Sequence, residues 1–225
     1  MPTKPVGSNF GHSTDAPFNA RKRRIRLKEC KRMKKVDYPV DKNEWHPSLI
    51  PGPVVLISTY NSKREPNVAP KSWLQMASLK PPIIMFSGTK GNPTEKNIME
   101  TKCFAVNFVD SSMASTVYHC IKWSGKRRIE KSGFKLLEAS KIHAPLVDNC
   151  KAHLECRLHS TKTVGSAFII FGEIVAASIW ERILHVECKE RYALLDQIVY
   201  LEPGMFASIN MASQVEHEAE VDAGN

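Results

Sequence analysis

No stretch of this 225-residue chain approaches the ~18 consecutive apolar residues of a membrane-spanning helix, and its N-terminus lacks the apolar core of a secretory signal. Export and membrane spanning are therefore not expected, and the longest apolar runs are strand-sized. The six cysteines, at positions 30, 103, 120, 150, 156 and 188, contain no CxxC pair, and a chain this long needs no disulfide staples. They read as reduced thiols of a cytoplasmic protein. Neither GxGxxG nor GxxxxGK[ST] occurs, which leaves a Rossmann or P-loop nucleotide site without support. No nucleophile elbow or triad spacing accompanies the thiols or Ser72.

Acidic residues are scarce at one end. Residues 1–36 hold eleven Lys and Arg against Asp15 and Glu29, which accounts for the whole net charge of +9. From residue 211 onward there are Glu216, Glu218, Glu220 and Asp222 with no Lys or Arg, so the region between is only mildly basic. Residues 1–20 are rich in Pro, Gly, Ser, Asn and Thr and poor in large apolar groups, too poor to offset the entropy of ordering them. The segment RKRRIRLKECKRMKK follows, with apolar residues too sparse for a core-facing helix. The expected organisation is a basic disordered arm over 1–36, a folded domain over 37–210 and an acidic disordered tail over 211–225. The arm is a solvated tail, a polyanion-binding element or a targeting presequence. Nucleic acid is not an expected partner except through that arm, and a membrane is not expected at all.

From Trp45 the composition changes. VVLISTY is a β-branched run of strand length, and PPIIMFSG repeats the pattern of a Pro-stopped entry, an apolar strand at Ile83–Ser87 and a Gly exit. Pro93, Thr94 and Glu95 predict a helix over 93–101 feeding the strand CFAVNFV, and Ser111–Cys120 reads as a second helix. Further strands are expected at Lys135–Leu137, His153–His159, Ala167–Ala177 and Arg182–Val186, with 198–201 and PGMFASI closing the ordered part. NSKREPN and residues 76–82, MASLKPP, read as polar turns. Two brief helices among many short strands favour a mainly β, closed-barrel fold.

Two clusters invite a functional reading. Cys150, His153, Cys156 and His159 recur every third residue, but on a strand they alternate between faces and cannot converge on zinc. The stretch from Asn67 to Ile98 packs small, hydroxyl and proline residues around two strands; it reads either as turns or as a flavin cradle. A flavin needs donors for its phosphate, a flat slot for its rings and hydrogen bonds along one ring edge. Ser72 and Thr94 offer hydroxyls, Thr94 near a helix start that favours an anion; Lys71, Lys90 or Lys96 can add charge; and the N–H groups near Ser78 and Leu79 can face a ring edge.

The order of these features over about Tyr38–Ile209 resembles the flavin reductase-like, FMN-binding split-barrel family, which includes flavoredoxins and ferric reductases. The resemblance is carried by Pro51, Pro53, Val54, Val55 and Thr59; by Asn67, Ala69, Pro70 and Ser72; and by Ala77 to Pro82. It continues through Thr94, Asn97 and Ile98, then Phe104 and Asn107, Ala144 to Leu146, Leu154 to Cys156, and Gly172 to Val175. It implies an antiparallel Greek-key split β-barrel with a few flanking helices, a homodimer, and FMN in a groove at the dimer interface. The cofactor contacts it implies fall on Asn67, Ala69, Pro70, Lys71, Ser72, Trp73, Ala77, Ser78, Leu79, Ser87, Asn92, Thr94, Lys96 and Asn97, with Ser72, Thr94 and Asn97 on the ribityl phosphate. The implied activity passes electrons from NAD(P)H or a protein donor through FMN to flavin, ferric iron or another acceptor. This chain departs from the family at Asn92-Pro93, where a Lys-Asp pair is usual, and at Lys80, where an Asp is. It also lacks the late histidine of NAD(P)H-using members, which leaves a non-catalytic flavin carrier as the alternative.

Overall fold

In the computed structural model, which describes residues 35, 50–201 and 204–213, the run after Pro51 makes a short strand β1 (Gly52–Pro53) and then β2 (Val55–Tyr60). Strand β2 is buried along its whole length because it serves two cores. Val55 and Ile57 point into the barrel with Phe86, Phe104 and Ile170, while Leu56, like Val54 just before it, joins a second cluster with Val117, Phe134 and Ile198. A strand with both faces covered reads as an unbroken apolar run rather than an alternation.

Strands β3 (Pro66–Lys71), β4 (Leu74–Leu79), β5 (Pro82–Thr89) and β6 (Cys103–Phe108) follow, then β7 (Leu136–Glu138), β8 (Pro145–Val147), β9 (Ala152–Val164), β10 (Ala167–Ile179), β11 (Gln197–Tyr200) and β12 (Phe206–Ile209). All pairings are antiparallel. The main sheet runs β3-β2-β6-β9-β10-β5-β4, so its two edge strands are consecutive in the chain and are separated only by Ser72 and Trp73. The segment 66–79 leaves β2, breaks at Ser72–Trp73 and joins β5, where Ser87 N–H donates to the Trp73 carbonyl at 3.3 Å. That break closes an antiparallel split barrel without leaving a long open edge. Strands β1, β11 and β12 form a small sheet against it, with Val54 N–H donating to the Ile198 carbonyl at 2.9 Å.

Helix α1 (Pro93–Thr101) has the predicted limits: Pro93 opens it as expected, and the structure adds its caps, Asn92 accepting the Glu95 N–H at 3.0 Å and left-handed Lys102 ending it. Helices α2 (Ala114–Cys120), α3 (Gly125–Ser132), α4 (Glu181–Leu184) and α5 (Cys188–Leu195) complete the fold.

Several expectations are corrected. The helix foreseen at 111–120 is a 3₁₀ turn, Ser111–Met113, followed by α2. The strand foreseen at 182–186 is the single turn α4, in which only Ile183 is buried. Residues 76–79 are strand; only Lys80 and Pro81 turn, because pairing with β5 overrides a polar, exposed sequence. NSKREPN turns only as far as Glu65. Among the described residues, five α-helices replace the two expected. The basic arm other than Lys35, the Trp45 segment and the tail beyond residue 213 lie outside the described residues.

Candidate functional site

The break between β3 and β4 organises the site. Gly52 packs its Cα against the Ser72 carbonyl so closely that a Cβ would lie 1.8 Å from that oxygen, so only glycine admits the approach. Beyond it opens a largely apolar slot of about 340 Å³ lined by Pro51, Ser72, Trp73, Gln75, Met85 and Ser87 among others. Its volume falls in the range of small-molecule sites, ~300–1,000 Å³. Trp73 is about half exposed at its mouth. Further along β4 a bulge leaves Ala77 without a partner in the ladder, between the pairs Met76–Ile84 and Ser78–Ile83. Bulges of this kind re-aim main-chain groups beside binding sites. Ser78 is half-buried there, while Leu79 is exposed at the hairpin end.

A cationic corner adjoins the slot. The Lys71 ammonium lies over Gly88, where an added Cβ would sit 2.8 Å from Nζ and 3.2 Å from the Asn92 amide nitrogen. Asn92 is fixed in place, accepting from Glu95 N–H and donating its amide to the Thr89 carbonyl. Behind Lys71 stands Arg128 of α3, whose Nη1 donates to the Val68 carbonyl at 2.7 Å and Nε to the Cys120 carbonyl at 2.9 Å. Neither cation has a carboxylate partner among the described residues. Burial, and then the Arg128 charge, holds the Lys71 amine below its ordinary pKa; burial likewise lowers that of Arg128.

The remaining expected contacts lie deeper. Thr94 and Asn97 are buried, with the Asn67 amide donating to the Thr94 hydroxyl at 3.1 Å and the Asn97 amide to the Thr59 hydroxyl at 3.0 Å. They fasten α1 to β2 and β3 and so fix the helix N-terminus beside Lys71. Ala69 is buried and Pro70 half-buried in β3, whereas Lys90 and Lys96 are exposed. Of the three lysines offered by the sequence, Lys71 is the one that the fold brings to the corner. Sequence reasoning missed Arg128, Gly88 and Gly52; a charged residue in a basic, amphipathic helix carries no signal of which of its cations turns toward the fold.

The other candidates scatter. Cys150 and Cys156 belong to different hydrophobic clusters, His153 Nε2 donates to the Val147 carbonyl at 3.0 Å, and His159 is exposed. The five described cysteines are free, and burial pushes Cys120 up to about 11 and Cys150 up to about 12, so both are thiols at neutral pH.

Comparison with known proteins agrees with this geometry. A protein of Aquifex aeolicus with no described function is 26% identical over 155 residues, covering 64% of this chain and 77% of its own. An NADH-dependent FAD reductase of Streptomyces globisporus is 27% identical over 106 residues, covering 46% of this chain and 57% of its own. The structure of the 2-nitrobenzoate 2-nitroreductase NbaA of Pseudomonas fluorescens superimposes with a TM-score of 0.72 at 24% identity, over 84% of this chain and all of that one. Residues 48–192 match the family described as flavin reductase like domain. With nearly two thirds of its length so matched, and with the split barrel that the family's solved members share, this chain belongs to the flavin reductase-like family.

Proposed function

We propose that this protein is an FMN-dependent oxidoreductase that takes electrons from NAD(P)H or a protein donor and passes them to flavin, ferric iron or another acceptor. The observation that carries this reading is the juxtaposition of an apolar slot with a half-buried cation, without a carboxylate partner among the described residues, beside the N-terminus of a capped helix. When bound, FMN supplies the redox chemistry that no side chain here provides. Lys71 and the α1 N-terminus hold the phosphate, Ser72 sits between that corner and the slot, and Trp73, Met85 and Phe86 exclude water from the ring. The main chain at the Ala77 bulge supports hydrogen bonds to the ring edge. Thr94 and Asn97 contribute by holding α1 in place.

A homodimer fits the same surface. Trp73 in the break, and Met76 and Leu79 on the edge strand β4, are exposed by 53%, 50% and 78%, a concentration of large apolar groups that a second copy would cover. A flavin-binding electron carrier is the second reading, favoured by the absence of histidine from the LEPGMFASI segment around β12.

Anaerobic titration decides between them. The purified protein is expected to absorb near 450 nm and to bleach on addition of NADH or NADPH. Failure of both to bleach a bound flavin leaves the carrier reading; a colourless protein that also fails to bind added FMN refutes the flavin site.

A further inference from the structure

The positive charge of the folded domain is gathered on one helix and its ends. Residues 122–135 hold six Lys and Arg against Glu130 alone, a net +5, while 37–210 as a whole sums to +4, so the remainder of the domain is slightly acidic. Helix α3 turns one side to the fold: Ile129 packs against the cluster that holds Phe134, and Arg128 Nη1 donates to the Val68 carbonyl of β3 at 2.7 Å. Its other side is open. Lys126, Arg127 and Lys131 on the helix, with Lys122 before it and Lys135 after it, are all exposed. Among the described residues, the acids bordering them offset little of this charge. Glu130 pairs with Lys126 at 3.8 Å with both side chains open to water. Glu65, which borders a cleft with Lys126 and Arg64, already accepts the Asn61 amide at 2.7 Å.

This cationic face adjoins an apolar recess. Helix α2 packs against α3, and Tyr118 of α2 with Ile121 just beyond it, both exposed, line a recess of about 180 Å³ together with Val117, Tyr200, Phe206 and Ser72. Ser72 also lines the flavin slot, so recess and slot share a wall at the β3–β4 break. Strand β3 meets α3 at Val68 and reaches Ser72 four residues on, ~13 Å along a strand. An apolar centre beside a charged rim is the anatomy of a protein interface. A strand of nucleic acid instead asks for cations tracking a groove with aromatic faces between them. Here the cations are confined to one short helix and its ends, and the rings among them, Trp123 and Phe134, are half-buried and buried.

We infer that α3 and the adjoining recess dock an acidic one-electron carrier protein, which delivers its electrons to the flavin slot past Ser72. The cations steer the carrier to this face, and an apolar side chain of the carrier seated in the recess fixes its orientation. Two reduced carriers each give up one electron and leave oxidised; the flavin takes the two electrons, with two protons from water, and is reduced. Encounters of this kind need only a small interface, below ~1,200 Å², which one helix and one recess supply.

The docking surface rests on the flavin reading, and the experiment separates the two. The probe is an acidic plant-type [2Fe–2S] ferredoxin carrying a fluorescent label, and its binding to the full-length, FMN-loaded protein is followed by anisotropy. Wild type is expected to bind it at ~20 mM salt and to lose about tenfold or more of that affinity by ~200 mM. Reversing Lys126→Glu, Arg127→Glu and Lys131→Glu together is expected to weaken binding by about tenfold or more at low salt. The same number of reversals at exposed Lys162, Arg182 and Lys189 changes the net charge equally and should leave binding within about threefold. Anaerobic mixing with the reduced ferredoxin should bleach the bound flavin, more slowly in the α3 variant by a similar factor. The wild-type salt profile needs no variant and so stands even if a triple variant fails to fold. No binding at low salt, equal losses in the two triple variants, or a single-stranded oligonucleotide that binds more tightly than the ferredoxin and is lost with the α3 reversals overturns the docking surface. Each of these, with FMN still bound, leaves the flavin reading intact. A protein that binds no FMN overturns both.

Discussion

Replacing Gly52 by alanine is expected to damage the fold and the slot together. An ideal Cβ at this position lies 1.8 Å from the Ser72 carbonyl oxygen and 2.9 Å from its carbonyl carbon. Both are main-chain atoms, so no change of rotamer relieves the overlap, and β1 or the Ser72–Trp73 break must move by about 1 Å or more to recover van der Waals distance. Neither is free to move. Strand β1 is pinned to β11 through Gly52–Tyr200 and Pro53–Val199, and the break is pinned by the Ser87 N–H on the Trp73 carbonyl. Overpacking of this kind costs about 1–3 kcal/mol, and in a domain of this size each kcal/mol lowers Tm by about 2–4 °C. A fall in Tm of between about 2 and 12 °C follows. Because Ser72 and Trp73 line the slot, FMN and riboflavin affinities should fall alongside. Thermal unfolding by circular dichroism and flavin titration by fluorescence measure the two effects. A Gly52→Ala protein with unchanged Tm and unchanged affinity for both flavins would refute the close approach of β1 to the break.

Gly88→Ala makes the contrasting case, since the atom its Cβ meets at 2.8 Å is the far end of the Lys71 side chain. The ammonium can swing away at little cost to stability, so Tm should stay within about 2 °C, equivalent to less than 1 kcal/mol. FMN affinity should drop about tenfold with riboflavin unaffected. Glu155 offers a test of the far side of the barrel. Burial works to raise its pKa, but hydrogen bonds from Ser140 N–H at 3.0 Å, the Ser140 hydroxyl at 2.9 Å and Lys141 N–H at 2.6 Å outweigh it and leave the carboxyl below its ordinary value. A depressed folded pKa contributes stability that is present above the unfolded value, near ~4.3, and is lost as pH falls through the folded one. Glu155→Gln should therefore destabilise by about 1–3 kcal/mol at neutral pH and flatten the stability curve below pH ~4.3. Chemical denaturation at pH 7 and pH 3.5 checks this; an unchanged slope between them would contradict it.

Local signals were strong enough to place some elements from the chain alone. Pro93, Thr94 and Glu95 place α1 at 93–101, because a helix start is written in nearest-neighbour hydrogen bonds, although the cap itself proved to be Asn92. The β-branched run VVLISTY announces β2 as a strand, and the structure shows it covered on both faces. Strand β4 was illegible for the opposite reason: with Gln75, Met76 and Ala77 exposed, nothing in its composition demands burial, and only pairing with β5 makes it a strand. The short helices α4 and α5 share that defect, each burying one apolar residue or none.

The segment from Asn67 to Asn97 was singled out by residue order and needed no coordinates to find. How its side chains are disposed was decided in three dimensions. Thr94 and Asn97 turn inward, where the Thr94 hydroxyl accepts from the Asn67 amide and the Asn97 amide donates to the Thr59 hydroxyl, tying α1 to β3 and β2. Of Lys71, Lys90 and Lys96, it is Lys71 that closing the barrel at Ser72–Trp73 carries over Gly88, while Arg128 of α3, which no sequence signal marked, donates to the Val68 carbonyl of β3. Sequence distance says nothing about such neighbours; barrel closure, a long-range event, brings Lys71 of β3 over Gly88 of β5.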